Sequence, residues 1–267
     1  MVKIYSIFIM YGFHVNEYNK ETKDLFLKYN CGLYQTFIDE YKKTLNFQPE
    51  LKPVIHGSFY INIASDNQYN YYMLKREVKY CLKHNIKYYV LHVGKCGKKL
   101  KLSDSQCINN MFNLLKRICK HYKLYKNDNF YLCLEMLSGD KGDIIYTLKE
   151  LNDLIYKNKY YYFKNLKICL DLCHVYVSGV DISTSERFDN YIKEFDDLIG
   201  LDKIGLVHFN NSYNDFNSKI DRHADIKDGK ISVETMIYMF KYFNDNKFDL
   251  IFEMKNFKED LEALFEY

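Results

Sequence analysis

Six apolar segments of this 267-residue chain end on an imidazole or a carboxylate. They are Val54-Ile55-His56, Tyr89-Val90-Leu91-His92, Leu132-Cys133-Leu134-Glu135, Cys169-Leu170-Asp171, Leu206-Val207-His208 and Leu250-Ile251-Phe252-Glu253. His174 follows Asp171 by three residues, and Asp221-Arg222-His223 follows the run that ends near His208. One such histidine is usually a hydrogen-bonded core residue, and one such glutamate usually makes a salt bridge. Here the same residue types close six strands in succession. If those ends converge, five His, two Asp and two Glu meet at one mouth. Carboxylates gathered in a cavity repel and desolvate strongly unless cations neutralise them. Imidazole with carboxylate, without thiolate, suits Zn²⁺ or Mn²⁺. Nine ligands exceed one metal and suffice for about three if one carboxylate bridges. About three dications against the four carboxylates leave roughly two positive charges, which want a phosphate. Clustered metals ~3.5–4 Å apart are the usual apparatus for phosphodiester hydrolysis.

The elements that must position these groups alternate. Strands are predicted at Ile4–Phe13, Leu33–Ile38, Pro53–Ile55, Tyr88–Leu91, Phe130–Leu134, Leu166–Leu170, Gly205–Phe209 and Asp249–Phe252. Buried parallel strands read as such short apolar runs, and α/β folds place chemistry at their carboxyl ends. Helices are predicted over roughly 69–84, 104–121, 143–157, 184–198 and 231–244, with Ser103 and Ser183/Thr184 as N-caps. Eight strands with intervening helices fit an α/β fold, a TIM-type (β/α)8 barrel, as a single domain over 1–267. A doubly wound open sheet is the competing arrangement, but the Gly-rich phosphate turn after its first strand is missing.

Composition narrows the class. The chain is 48% hydrophobic, so a sizeable core is available, and it has too few Pro (2) and Gly (11) to supply a long linker. A net charge of +3 does not by itself argue for nucleic acid. The eight cysteines form no zinc-knuckle spacing, and no signal peptide is expected. Reduced thiols in an intracellular protein, in cytoplasm or nucleus, are therefore expected, neither secreted nor in a membrane.

At the strand-end residues the chain resembles the endonuclease IV family of apurinic/apyrimidinic (AP) endonucleases. The resemblance is carried by His56-Gly57-Ser58-Phe59-Tyr60-Ile61-Asn62, Leu91-His92-Val93-Gly94, Leu134-Glu135-Met136, Leu170-Asp171-Leu172-Cys173-His174, Val207-His208-Phe209-Asn210 and Asp221-Arg222-His223. Gly12-Phe13-His14-Val15 looks like the family's first-strand motif. The resemblance implies zinc as cofactor, about three ions per chain. His56, His92 and Glu135 would hold the first. Glu135 would bridge, as the catalytic carboxylate, to the second with Asp171, His208 and Glu253. His174, Asp221 and His223 would hold the third. It also implies in-line hydrolysis of the phosphodiester 5′ to an abasic site in base-excision repair, leaving a 3′-hydroxyl and a 5′-deoxyribose phosphate, with trimming of blocked 3′ ends. The implied partner is double-stranded DNA carrying such lesions, met by a monomer.

Phe59 and Tyr60 stand where the family commonly inserts a Tyr-Leu pair into the DNA stack, and remain flat enough to stack. Asn210 and Arg222 are the further DNA-contact candidates. The family's upstream Arg is absent, since no Arg precedes Arg76; Gln35, Lys42 or Lys43 are substitutes by position. Lys95, Lys98, Lys99 and Lys101 form a charged loop at the mouth, either solvated or on the DNA backbone. His14 reads either as support behind the ligands or as core. Two other functions compete: a metal-dependent sugar isomerase or epimerase, and a catalytically dead DNA-binding barrel. The third ligand group argues against the isomerase, and the complete ligand set argues against the dead barrel.

Overall fold

A computed structural model describes residues 10–15, 20–38, 51–96, 102–156 and 164–265 of the chain. Eight parallel strands close a barrel: β1 (Tyr11–His14), β2 (Leu33–Phe37), β3 (Lys52–His56), β4 (Tyr88–His92), β5 (Tyr131–Glu135), β6 (Leu166–Asp171), β7 (Ile204–Phe209) and β10 (Leu250–Phe252), with β10 pairing β1. Between β7 and β10, Asn211–Ser212 (β8) and His223–Ala224 (β9) make a small antiparallel pair. The helices are α1 (Lys20–Lys28), α2 (Gln68–Lys83), α3 (Asp104–Tyr122), α4 (Leu148–Tyr156), α5 (Leu172–Val177), α6 (Ser185–Leu198), α7 (Val233–Asp245) and α8 (Phe257–Phe265).

Alternation along each strand divides two cores. Tyr34, Ile55, Tyr89, Leu91, Leu134, Leu170, Val207 and Phe252 point outward into the layer shared with the helices. Leu33, Val54, Val90, Cys133, Cys169, Leu206 and Ile251 fill the barrel interior. Side chains repeat with period two along a strand. The residue two places beyond each interior plug therefore also points inward, one layer nearer the mouth. Those residues are Gln35, His56, His92, Glu135, Asp171, His208 and Glu253. An apolar floor thus sits directly beneath a polar ring. In register, His92 lies opposite Glu135, and Asp171 opposite His208. Gly12 permits closure at β1–β2, because a Cβ there would meet the Leu33 carbonyl oxygen at 1.8 Å.

The helix caps follow the expected chemistry. Ser103 opens α3 in a capping box with Gln106, and the Thr184 side chain accepts from Arg187 N at α6. Three helices were not expected. The α1 segment, Lys-Glu-Thr-Lys-Asp-Leu-Phe-Leu-Lys, is mostly polar, and α8 carries acidic residues through its first turn. The α5 segment, Leu-Cys-His-Val-Tyr-Val, is an apolar run that reads as strand. The helix expected at 143–157 begins at Leu148. The part of the first expected strand before Met10 lies outside the described residues.

One expectation about cysteine chemistry is corrected. Cys96, just beyond β4, and Cys107, on α3, form a disulfide with Cα atoms 5.9 Å apart. Their eleven-residue separation matches no recognisable motif; the pairing sets Cys96, after β4, against the first turn of α3. The other six cysteines are free and buried. No helix among the described residues is long and apolar enough to cross a membrane.

Candidate metal centre

Glu135 is the hub of the polar ring. It is 1% exposed, and its Oε2 lies 3.2 Å from both His56 Nε2 and His92 Nε2. Its Oε1 lies 3.1 Å from His208 Nδ1. One carboxylate thus faces two donor groups through different oxygens. The first is His56, His92 and Glu135; the second is Glu135, Asp171, His208 and Glu253, with ligand atoms all within 4.8 Å of one another in each. Asp221 joins the remaining pair: its Oδ2 is 3.0 Å from His174 Nε2 and its Oδ1 is 3.2 Å from His223 Nε2. All nine residues expected at the site are therefore brought to one end of the barrel.

The donor set fits divalent cations. Histidines that ligate a metal normally spend one ring nitrogen on an orienting partner and present the other. His56 Nδ1 engages the Gly57 carbonyl at 2.9 Å and turns Nε2 to Glu135. His174 Nδ1 engages the Met136 carbonyl at 2.8 Å and turns Nε2 to Asp221. His208 Nε2 engages Gln35 Oε1 at 3.0 Å and turns Nδ1 to three carboxylates. Such convergence of imidazole on carboxylate is what a tetrahedral or five-coordinate N/O site requires.

Without metal, protons hold the cluster together. Burial disfavours a charged imidazole at His223, but Asp171, Asp221 and Glu253 outweigh it and raise the pKa to about 9. His174 is also pushed well above the ordinary range, by Asp171 and Asp221 against burial. Burial alone would raise Glu135, Asp221 and Glu253, yet the facing histidines pull all three below the usual carboxylate range. The sign follows from linkage. A histidine with a raised folded pKa stabilises below its unfolded pKa of ~6.5, and that stability is lost as pH rises through about 9. The metal-free chain should therefore melt several degrees lower at pH 9 than at pH 6.5 in a calorimetric scan. Added zinc, which competes with those protons, should remove the drop.

The profile of the xylose isomerase-like TIM barrel family matches residues 12–267. The "Probable endonuclease 4" of Persephonella marina is 36% identical over 204 residues, which cover 74% of this chain and 67% of that protein. The chain belongs to the endonuclease IV family. The "Apurinic-apyrimidinic endonuclease 1" of Plasmodium falciparum is 29% identical over 216 residues, 79% of this chain. The matched stretch spans about a third (34%) of that longer relative. Among solved structures, endonuclease IV from Thermus thermophilus superposes with a TM-score of 0.73 at 19% identity, covering 97% of this chain and 100% of that one. A D-tagatose 3-epimerase-like protein reaches 0.71 at 17% identity, covering 97% and 99%. These two likenesses show the barrel and nothing finer.

Within this endonuclease IV family chain, several expected DNA contacts sit differently. Phe59 and Tyr60 are 70% and 82% exposed, and the Phe59 ring stands 5.7 Å and 5.9 Å from the rings of His56 and His92. Both rings are thus held out of the core, with Phe59 beside the histidines of one donor group. Asn210 is corrected: it is fully buried and cannot reach DNA. Its Nδ2 donates to Asp171 Oδ2 at 2.8 Å and its Oδ1 accepts from Cys173 N at 2.9 Å. Asp171 also caps α5, its Oδ1 accepting from His174 N at 2.8 Å. Asn210 therefore ties the Asp171 carboxylate to the first turn of α5. Gln35 is corrected likewise, being fully buried in the polar ring, where it cannot replace a DNA-contacting Arg.

Arg222 is exposed, with its guanidinium 5.2 Å from the Tyr213 ring. The Lys95 ammonium is engaged by Asp143 at 2.9 Å and Asp140 at 3.6 Å. Lys42, Lys43, Lys98, Lys99 and Lys101 lie outside the described residues. Two further groups position the site in roles that their sequence context does not reveal. Asn62 clamps the loop after β4, its Nδ2 donating to Lys95 O at 2.8 Å and its Oδ1 accepting from Lys95 N at 3.1 Å. Glu77, buried on α2, accepts from Tyr89 Oη at 2.7 Å and Ser58 N at 3.3 Å behind His56. Asn62 lies inside the quoted motif, so its position alone was visible.

Proposed function

We propose that this protein is a zinc-dependent AP endonuclease, cutting the DNA phosphodiester 5′ to abasic sites in base-excision repair. The carrying observation is the convergence of nine imidazole and carboxylate groups around a shared glutamate. We assign His56, His92 and Glu135 to one zinc, Glu135, Asp171, His208 and Glu253 to a second, and His174, Asp221 and His223 to a third. Zinc bound there supplies Lewis acidity, acidifying water towards pKa ~7 and offsetting phosphate charge. Glu135 is the catalytic carboxylate, because it alone faces both of the first two donor groups. Asp171 ties the second group to the third through α5. Phe59 and Tyr60 are the groups placed to stack in the gap left by a missing base. Arg222 is exposed beside His223, where it reaches phosphate. The products are a 3′-hydroxyl and a 5′-deoxyribose phosphate, and the same centre trims blocked 3′ ends. The chain acts as a single domain and a monomer within the cell.

A sugar isomerase or epimerase shares the barrel, but its one or two metals leave His174, Asp221 and His223 without a task. A metal count paired with an incision assay tests the reading. About three zinc ions per chain and cleavage of an abasic-site duplex without Mg²⁺ are expected. Fewer than two metals, or no cutting after zinc reconstitution, would sink it. In the same assay the double variant Phe59→Ala, Tyr60→Ala should keep its zinc and its melting temperature, since both rings are exposed. Its preference for abasic over intact duplex should fall by roughly 10-fold or more, at ~1–3 kcal/mol per lost stacking contact.

A further inference from the structure

Strand β2 contributes no ligand to any donor group, yet it places Gln35 in the polar ring between β1 and β3. The Gln35 side chain is fully buried, and both ends of its amide are used. Its Nε2 lies 2.6 Å from Glu253 Oε1 and 3.0 Å from His14 Nδ1. Its Oε1 lies 3.0 Å from His208 Nε2. An ionised carboxylate only accepts hydrogen bonds, so the atom 2.6 Å from Glu253 must be the amide nitrogen. The amide orientation is thereby fixed, and its oxygen is left facing His208. That oxygen only accepts, so His208 must present N–H at Nε2. Nδ1 is then the nitrogen turned to Glu135 (3.1 Å), Glu253 Oε2 (3.2 Å) and Asp171 (3.6 Å). The same hydrogen bonds occupy Glu253 Oε1 and leave Oε2 on the donor side. One uncharged side chain thus sets the ligating atom of two residues in a single donor group. His14, 3.1 Å from Glu253 Oε1, closes the network from β1.

We propose that Gln35 is a positioning residue for the donor group of Glu135, Asp171, His208 and Glu253, selecting Nδ1 of His208 and Oε2 of Glu253 as its metal-facing atoms. This rests on reading that group as a metal site. The other two groups are indifferent to Gln35, because His56, His174 and His223 take their orienting partners from Gly57, Met136 and the Glu253 carbonyl.

Zinc titration of the metal-free protein against a chromogenic chelator tests it, with Co²⁺ absorption as a second readout. Gln35→Met keeps the length of the side chain and removes its hydrogen bonds to Glu253, His14 and His208. It should weaken one class of site by ~10–100-fold, the usual cost of losing an orienting partner, and leave the others in place. The cobalt bands of that site alone should change, whatever the lost hydrogen bonds cost the metal-free chain in melting temperature. Where Gln35→Met fails to fold, Gln35→Glu preserves the shape but sets carboxylate against Glu253, and the same site-selective loss is expected. An unchanged titration, or a uniform fall at every site together with a lower melting temperature, overturns the proposal. Because zinc alone is the probe, a site-selective loss upholds it even if abasic DNA is left uncut. An unchanged titration defeats it even if DNA is cut.

Discussion

Glu135→Gln should lower single-turnover incision of an abasic-site duplex by at least ~10²–10³-fold, the scale seen when a principal charge-stabilising group is lost. Binding of the same duplex, read by fluorescence anisotropy, should stay within ~3-fold, far less than one such group costs. The two effects separate because of where Glu135 sits. At 1% exposure it cannot touch a phosphate or a base. Its two oxygens face His56, His92 and His208 at 3.1–3.2 Å, so the substitution reaches two donor groups at once. Glutamine has nearly the same volume, so packing above Cys133 is kept. Its amide nitrogen, however, can only donate towards nitrogens that must be free to ligate. Zinc content should fall together with incision. If duplex binding falls as much as incision, Glu135 organises the mouth instead of serving as the shared ligand.

Most of the ring was legible because a barrel translates strand pattern directly into position. Period-two alternation puts the residue two beyond an interior plug on the inner face, and closure brings all such residues to one rim. His56, His92, Glu135, Asp171, His208 and Glu253 needed nothing further. The misreadings came from residues whose role depends on what lies across the barrel. Asn210 follows a strand end and reads as exposed, but the start of α5 covers it and takes both ends of its amide. Gln35 carries no charge and no metal-ligand chemistry, so its importance arises only from facing Glu253 and His208. The α5 segment has strand-like composition; it turns helical because Asp171 caps it, a carboxylate performing two tasks at once. The Cys96–Cys107 disulfide was invisible for the same kind of reason, since it depends on Cys96, beyond β4, meeting α3.

Asp221→Asn should divide the nuclease reading from the sugar-isomerase reading. The barrel cannot do so: an endonuclease IV and an epimerase-like protein superpose on it almost equally well. What differs is the need for a third donor group. Asp221 is the nearest carboxylate to both histidines of that group, 3.0 Å from His174 and 3.2 Å from His223, against 4.0 Å and 3.6 Å for Asp171. It stands on the loop between β8 and β9, with its side chain 44% exposed, so replacing it leaves the barrel and the Glu135-centred groups untouched. An amide of the same shape removes the charge and supplies at most one weak oxygen ligand. The variant should therefore retain about two zinc ions per chain of the roughly three expected for a clustered phosphodiesterase site. Incision should drop by ~10²-fold or more, because the charge left to offset the phosphate falls with the missing cation. Metal analysis and incision on the same preparation supply both numbers. Full incision with one zinc lost would mean that the third group is no part of the cutting machinery, and a two-metal barrel chemistry would then describe the protein better.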